Sequence, residues 1–160
     1  MVKDSGIIYL SFDGKRKLDE ELLYLKTVRR PELIRAIAHA RSLGDLAENA
    51  EYHAAKEAQV FVEGRIAELE FTLSRCRVID GAAWPADQAR LLSRIRLLDL
   101  QSGAEEEYTL VHPEEADFDA GKLSIQSPIG SALLGKKAGE TVEIQVPAGV
   151  LRYKILYVSR

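Results

Sequence analysis

The N-terminal half of the chain places apolar residues at the spacing of two long helices. On the first segment the seam positions are Leu18, Leu22, Leu25, Val28, Leu33, Ile34 and Ile37. On the second they are Tyr52, Ala55, Gln59, Val62, Ile66, Leu69, Leu73 and Cys76. Steps of three and four sustained over this length predict a coiled-coil seam, and the short connection between the segments predicts an antiparallel hairpin. Each arm has about 28 residues and so a length on the order of 40 Å.

The first arm has recognisable ends and one internal break. An extended lead-in at 7–13 precedes it, and Ser11 or Asp13 is a suitable cap for a helix that begins near Lys15 and runs to about Ser42. Pro31 lies inside this helix. Because proline lacks a backbone donor and crowds the preceding turn, we expect a kink or local distortion just before it.

Charge also favours pairing of the two arms. Residues 15–42 carry eight basic and four acidic side chains, whereas residues 43–75 carry three basic and seven acidic ones. Opposite balances on neighbouring helices support the hairpin, although each exposed pair contributes only about 0.2 to 1 kcal/mol.

The C-terminal half changes to short alternating runs separated by turn residues. Strands are predicted at 91–100, 106–112, 123–127, 141–146 and 151–158. Residues 127–135 instead begin with serine and proline and end with glycine, which predicts one short helix. The fold class is therefore α+β, with a helical coiled-coil hairpin over 1–78, a linker at 79–87, and a small antiparallel sheet with one short helix over 88–160.

Composition narrows the classes of function. A net charge of −3 predicts no global attraction to nucleic acid or anionic membranes, so any such contact must be local. No apolar run is long enough for a signal peptide or a membrane span, and Cys76 is the only cysteine, which fits a soluble protein of the reducing cytoplasm. We expect Cys76 to be a small buried seam residue. The three histidines, His39, His53 and His112, lack paired metal-ligand spacing.

The turn at 44–52, with the sequence GDLAENAEY, carries acidic residues at the far end of the hairpin. Asp45 and Glu48 have the spacing of a capping box, and Gly44 suits a left-handed cap at the end of the first arm. The same carboxylates are also hard oxygen ligands suited to Mg²⁺. Two acids alone would not hold this ion firmly, so a partner would have to complete the site.

Basic residues flank this turn on opposite arms. Arg41 and Lys56 lie a few residues from the acids, close enough to touch a phosphate group, but both could equally be ordinary solvated charges.

Several stretches together resemble the bacterial Gre transcript cleavage factors of the GreA type. The turn and its continuation at 44–57, followed by EGRI at 63–66, resemble the coiled-coil tip of that family. Residues 25–32, with their proline, and residues 115–118 and 127–139 resemble other parts of it. The similarity covers nearly the whole chain. One departure is that 91–96 lacks a glycine expected at the first strand of the C-terminal domain, and another is that 111–113 lacks a glycine where members often turn.

The resemblance implies a factor that rescues backtracked RNA polymerase. The coiled coil would enter the secondary channel, and an FKBP-like C-terminal domain without an isomerase role would dock at the outer rim. Asp45 and Glu48 would help the polymerase hold a shared Mg²⁺ and orient water for cleavage of the RNA 3′ end. The chain would then be an accessory factor rather than an enzyme, a monomer with no cofactor of its own.

The resemblance also assigns the remaining site residues. Arg41 and Lys56 would contact the extruded nascent RNA. The tip would be shaped by Gly44, Leu46, Asn49, Glu51 and Tyr52. Docking on polymerase would involve Ser127, Pro128, Gly130 and Gly135. The alternative is a binding module that occupies the channel and regulates or inhibits polymerase without cleavage, with Asp45 and Glu48 serving only as helix caps.

Overall fold

The computed structural model describes residues 6–79 and 87–160, which fall into two compact units. The first consists of the residues up to Ile8 together with Lys15–Cys76, and the second of Tyr9–Gly14 with Arg77–Arg160. Most of the linker predicted at 79–87 lies outside the described residues. Within the described ranges, no helix has both the length and the apolar character needed to cross a membrane.

The first unit is built from helices. They are α1 (Phe12–Tyr24), a π-helical segment (Leu25–Arg29), α2 (Arg30–Ser42) and α3 (Ala50–Arg75). The first helix begins three residues earlier than predicted. Ser11 is its cap, because the Ser11 Oγ accepts a hydrogen bond of 2.9 Å from the Gly14 N–H.

The distortion expected before Pro31 takes the form of the π-helical segment. The Arg30 N–H donates to the Leu25 carbonyl, five residues back, and Pro31 lies at the start of α2. A wider turn adds one residue and so rotates the seam around the helix. Val28 and Ile34 were predicted in the seam, and this is wrong, since they are 41% and 53% exposed.

After the π-helical segment the seam keeps the predicted Leu33 and Ile37 and adds Ala40. Leu33, Ile37 and Ala40 are buried on α2. On α3 every predicted seam position is buried or half-buried, and Thr72 is buried in addition. Cys76 is half-buried, but it lies just beyond the helix in the short strand β2 (Cys76–Val78), which pairs with β1 (Ile8–Leu10).

Ion pairs join the arms, Arg30 with Glu63 in the sense that the charge balance predicts and Arg65 with Glu21 in the opposite sense. Arg30 donates to both carboxylate oxygens of Glu63 at 2.7 and 2.9 Å, and this pairing lowers the pKa of Glu63. Arg65 makes the same two-pronged contact with Glu21 at 2.8 and 3.0 Å. The side chains are partly exposed, so these contacts fix the pairing of the arms more than they add stability.

The second unit is organised on a five-stranded sheet. Its strands are β3 (Arg94–Asp99), β4 (Glu105–Val111), β5 (Lys122–Ser124), β6 (Thr141–Val146) and β7 (Gly149–Ser159), in the order β5-β4-β3-β7-β6. The helix α4 (Pro128–Leu133) is the short helix predicted from the sequence, with Ser127 as its cap. The buried core includes Ile95, Leu97, Leu110, Leu133 and Ile155.

The sheet departs from the predicted antiparallel arrangement at one edge. Strand β5 runs parallel to β4. Between them the chain passes through a 3₁₀ turn, Pro113–Glu115, and a turn at Gly121, whose φ of +72° favours glycine. This connection carries the chain back from Val111 to a place beside Thr109, so β5 starts opposite Thr109 and runs in the same direction as β4.

The segment 91–96, where a glycine was expected, contains a residue in a backbone conformation that favours glycine. Leu92 is the only non-glycine residue with a positive φ, +68°, in the described part of the chain. Its N–H donates to the Leu110 carbonyl at 2.7 Å, which holds the turn before β3 in place. A left-handed backbone costs a side-chain-bearing residue roughly 1 to 2 kcal/mol, so this turn is where a glycine would fit best.

The pH dependence of stability should reflect His112. Its Nδ1 accepts from the Glu114 N–H at 3.1 Å and so caps the 3₁₀ turn, and burial lowers the pKa of His112 below 6.5. A lowered folded-state pKa means that the unfolded chain binds the proton more readily. The stabilisation from His112 is therefore complete above about pH 6.5 and is lost as the pH falls through its folded-state pKa.

We expect His112→Asn to flatten this dependence, because asparagine can cap the turn without binding a proton. Urea unfolding of the wild type and the variant should be measured between pH 7.5 and 5. The wild type should lose more unfolding free energy over this range. Equal losses in the two proteins would contradict the assignment to His112.

Candidate functional site

The loop between α2 and α3 is the tip of the helical hairpin. The first arm ends at Ser42, Leu43 is its C-cap, and Gly44 follows with a φ of +132°. Gly44 thus has the positive φ expected of a residue just beyond a helix end, where a side chain would be strained. The second helix begins only at Ala50, so the loop has room for Asp45 and Glu48 outside both helices.

Asn49 fixes both ends of this loop. Its Oδ1 accepts from the Tyr52 N–H at 3.1 Å and caps α3, while its Nδ2 donates to the Ala40 carbonyl at 2.6 Å near the end of α2. The capping box predicted for Asp45 and Glu48 is therefore wrong. Asparagine is as good a cap as aspartate, and it lies one residue before the helix, where a cap is needed.

The two acidic side chains point into solvent. Asp45 Oδ1 accepts from the Ala47 N–H at 3.0 Å, an Asx turn within the loop. The Glu48 carboxylate has no hydrogen-bond or ion-pair partner among residues 6–79 and 87–160. Both acids line one open depression, together with Leu43, Asn49, Ala50 and Glu51. Leu46 lies beside them and is 39% exposed.

Of the two basic residues predicted near the tip, Arg41 contacts the ring of Tyr52. The Arg41 guanidinium lies 5.9 Å from the centroid of this half-buried ring, at the outer range of a cation–π contact. Lys56 lies four residues after Tyr52 and hence on the same face of α3. Its Nζ approaches Gln59 Oε1 at 3.4 Å. Each arm thus carries one basic residue near Tyr52, Arg41 through its ring contact and Lys56 through its place one turn further along α3.

His53 contacts the loop although its spacing in the sequence gave no reason to single it out. Its Nε2 lies 3.1 Å from the carbonyl oxygen of Ala47, a residue that lies between Asp45 and Glu48 in the sequence. Its ring also meets the Tyr52 ring edge-on, with 5.6 Å between centroids and 67° between planes. A histidine in the first turn of a helix can contact the loop that precedes the helix. Its position just after the helix start is therefore the signal in the sequence, and a search for metal-ligand spacing does not detect it.

The tip offers part of a metal site rather than a whole one. Nowhere in the described ranges do three or more His, Cys, Asp or Glu side chains gather as a metal site would require. Asp45 and Glu48 supply exposed carboxylate oxygens, which suit Mg²⁺, an ion that commonly takes one or two protein carboxylates and keeps several waters. The donor set fits a metal shared with a partner.

The residues predicted to dock on polymerase lie around α4. Ser127 Oγ accepts from the Gly130 N–H at 3.0 Å, and Gly130 is buried, so its part is in packing rather than on the exposed surface. Pro128 and Gly135 are exposed. Gly135 has a φ of +80°, and its N–H donates to the Ala89 carbonyl at 2.8 Å. Docking through this surface stays a prediction.

Two models of protein families match the chain. One, described as "Transcription elongation factor, N-terminal", matches residues 8–78. The other, described as "Transcription elongation factor, GreA/GreB, C-term", matches residues 84–160. Together they span most of the sequence, including the tip and α4.

Individual proteins show the same similarity. The chain is 48% identical over 153 residues to transcription elongation factor GreA of Caldanaerobacter subterraneus subsp. tengcongensis, covering 96% of this chain and 98% of that protein. It is 47% identical over 156 residues to GreA of Flavobacterium johnsoniae, covering 98% and 99%. Among solved structures, GreA factor homolog 1 (Gfh1) of Thermus thermophilus is 26% identical, with 96% and 99% coverage and a TM-score of 0.45.

Proposed function

The chain belongs to the GreA/GreB family of transcription elongation factors, and on that premise we propose that it stimulates transcript cleavage by RNA polymerase. In this proposal the helical hairpin enters the secondary channel of a backtracked polymerase. The polymerase remains the catalyst, and the tip contributes Asp45 and Glu48. Cleavage releases the extruded 3′ end of the RNA, and elongation resumes from the new end.

The proposal rests on the observation that the carboxylates of Asp45 and Glu48 are exposed and are not used as helix caps. Asn49 caps α3, so neither Asp45 nor Glu48 is needed to begin the helix. Both side chains are exposed and line the same depression. Exposed carboxylates that are not needed as helix caps are suited to completing a site on another molecule. This supports the cleavage function over a module in which the acids serve only as helix caps.

Asp45 and Glu48 would hold the shared Mg²⁺ together with groups of the polymerase. When bound, this ion would polarise the phosphodiester and increase the acidity of a water molecule. The role of the chain is to bring negative oxygens to the right place. The Asx turn directs Asp45, and the capped start of α3 fixes the loop that carries Glu48. Arg41 and Lys56 would hold the RNA through its phosphates.

A cleavage assay on a purified backtracked complex tests this function. Labelled RNA should be shortened from its 3′ end much faster with the chain than without it. The chain mixed with the same RNA in the absence of polymerase should produce no fragments, as expected of an accessory factor. Binding to polymerase with no increase in cleavage would favour the channel-occupying alternative.

Loss of either basic residue near the tip should weaken contact with RNA. We expect Arg41→Ala and Lys56→Ala to reduce crosslinking of the tip to the RNA 3′ end several-fold, because each removes one phosphate contact. Affinity for polymerase should change little. Lys17→Ala is a matched control, since this exposed lysine lies on α1, far along the arm from the tip. Crosslinking that is unchanged in both tip variants would refute this role.

A further inference from the structure

The imidazole of His53 contacts the acidic loop directly. Its Nε2 lies 3.1 Å from the Ala47 carbonyl oxygen, and a carbonyl can only accept, so Nε2 carries the proton in this contact. We propose that His53 is a positioning residue, which orients the carboxylate of Glu48 by holding the peptide group between Ala47 and Glu48. The inference rests on the proposed function of the tip and adds a residue to it.

Two successive peptide groups of the loop are each held by a side-chain hydrogen bond. Asp45 accepts from the Ala47 N–H, which belongs to the peptide between Leu46 and Ala47. His53 donates to the Ala47 carbonyl, which belongs to the next peptide. Rotation of that second peptide would swing the Glu48 side chain. Since the Glu48 carboxylate has no partner in the described parts of the chain, its direction depends on its backbone.

His53 is itself held by a rigid element. It lies in the first turn of α3, whose start is fixed by Asn49. Its ring packs edge-on against Tyr52, and Arg41 lies over the Tyr52 ring. A donor mounted on a capped helix keeps its place better than one mounted on a loop, which is what orienting a metal ligand requires.

A positioning role and a role in proton transfer make different demands on this side chain. Positioning needs only an N–H at the place of Nε2, and imidazole provides it in both its neutral and its cationic form. Glutamine also provides an N–H donor, whereas phenylalanine keeps a ring against Tyr52 but has no donor. Proton transfer would need a titratable group, which neither replacement supplies.

The test compares His53→Phe and His53→Gln with the wild type in the cleavage assay. Two quantities are measured between pH 6 and 9: the cleavage rate at saturating protein and the protein concentration that gives half of it. His53→Phe should lower the saturating rate about tenfold, as lost support of a metal ligand typically does, with an unchanged half-saturating concentration. His53→Gln should recover most of the rate, and the ratio of the two rates should not vary with pH.

Several results would overturn the inference. These are a wild-type rate in His53→Phe, a rate in His53→Gln as low as that of His53→Phe, or a loss that appears only as weaker half-saturation. Amide NMR of the free protein tests the contact without polymerase. The Glu48 amide signal should shift in His53→Phe and stay near its wild-type position in His53→Gln, and no shift in His53→Phe would overturn the inference. If the wild type fails to stimulate cleavage, the proposed function fails, while the NMR comparison still decides the loop contact.

Discussion

Asp45→Asn and Glu48→Gln should each reduce stimulated transcript cleavage by about 100-fold or more. A carboxylate that helps hold a catalytic metal supports several kcal/mol of transition-state stabilisation, and each 1.36 kcal/mol is a factor of ten in rate. Both substitutions keep the size of the side chain and remove its charge. Asparagine retains the amide oxygen that can accept from the Ala47 N–H, so the Asx turn can persist. The loss should therefore come from the missing ligand.

The measurement is the single-turnover cleavage rate at saturating protein, with affinity for polymerase determined separately. Both variants should bind polymerase as tightly as the wild type. Glu57→Gln is the matched control, because it removes one exposed negative charge from α3 outside the tip loop and should leave the rate unchanged. Near-wild-type cleavage by Asp45→Asn and by Glu48→Gln would remove the metal role.

Gly130→Ala should destabilise the C-terminal unit by about 3 kcal/mol. A Cβ at this position would lie 2.0 Å from the Ser124 carbonyl oxygen and 2.9 Å from its carbon. These are backbone atoms at the end of β5, and Ser127 Oγ also donates to the same Ser124 oxygen at 2.6 Å. Neither α4 nor β5 can move aside without losing that contact, so the overlap must be relieved by shifting backbone.

Gly64→Ala is the matched control for this prediction. Gly64 lies inside α3, and apart from its chain neighbours and the backbone of its own helix nothing lies within 4 Å of the place its Cβ would take. Alanine should stabilise the helix there by about 0.5 to 1 kcal/mol. Urea unfolding should be monitored through the hydrogen exchange of backbone amides, in β3–β7 for Gly130→Ala and in α3 for Gly64→Ala. A Gly130→Ala protein as stable as the wild type would contradict the close packing of α4 on β5.

Most of the fold follows from patterns in the sequence because they have local causes. The seam period, the Ser127 cap with its proline, and Pro31 each act within a turn or two, and each predicted its element. The features that the sequence did not predict depend on distant residues or on effects that accumulate along the chain. The π-helical segment moves Val28 and Ile34 out of the seam. The parallel edge strand depends on where the chain returns after the 3₁₀ turn, which local alternation does not determine.

The sequence predicted that the two acids lie at the tip, but not the contacts around them. Spacing placed Asp45 and Glu48 at the tip, yet it favoured Asp45 as the cap over Asn49, which has the same capping chemistry four residues later. Asn49 was expected only to shape the tip, and its second bond, to Ala40 across the hairpin, requires the three-dimensional pairing of the arms. His53 was not predicted as a site residue because its partner is a backbone carbonyl. Every residue carries such a carbonyl, so no residue pattern indicates the contact.

The Mg²⁺ dependence of cleavage tests most directly whether the tip acids share a metal with the polymerase. The Mg²⁺ concentration for half-maximal cleavage should be measured for a backtracked complex alone, with the wild type, and with the double variant Asp45→Asn/Glu48→Gln at saturating concentration. The wild type should lower this concentration several-fold, because added carboxylates strengthen Mg²⁺ binding. The double variant should return it to the value of polymerase alone. A double variant that lowers the Mg²⁺ requirement as much as the wild type would contradict the shared site.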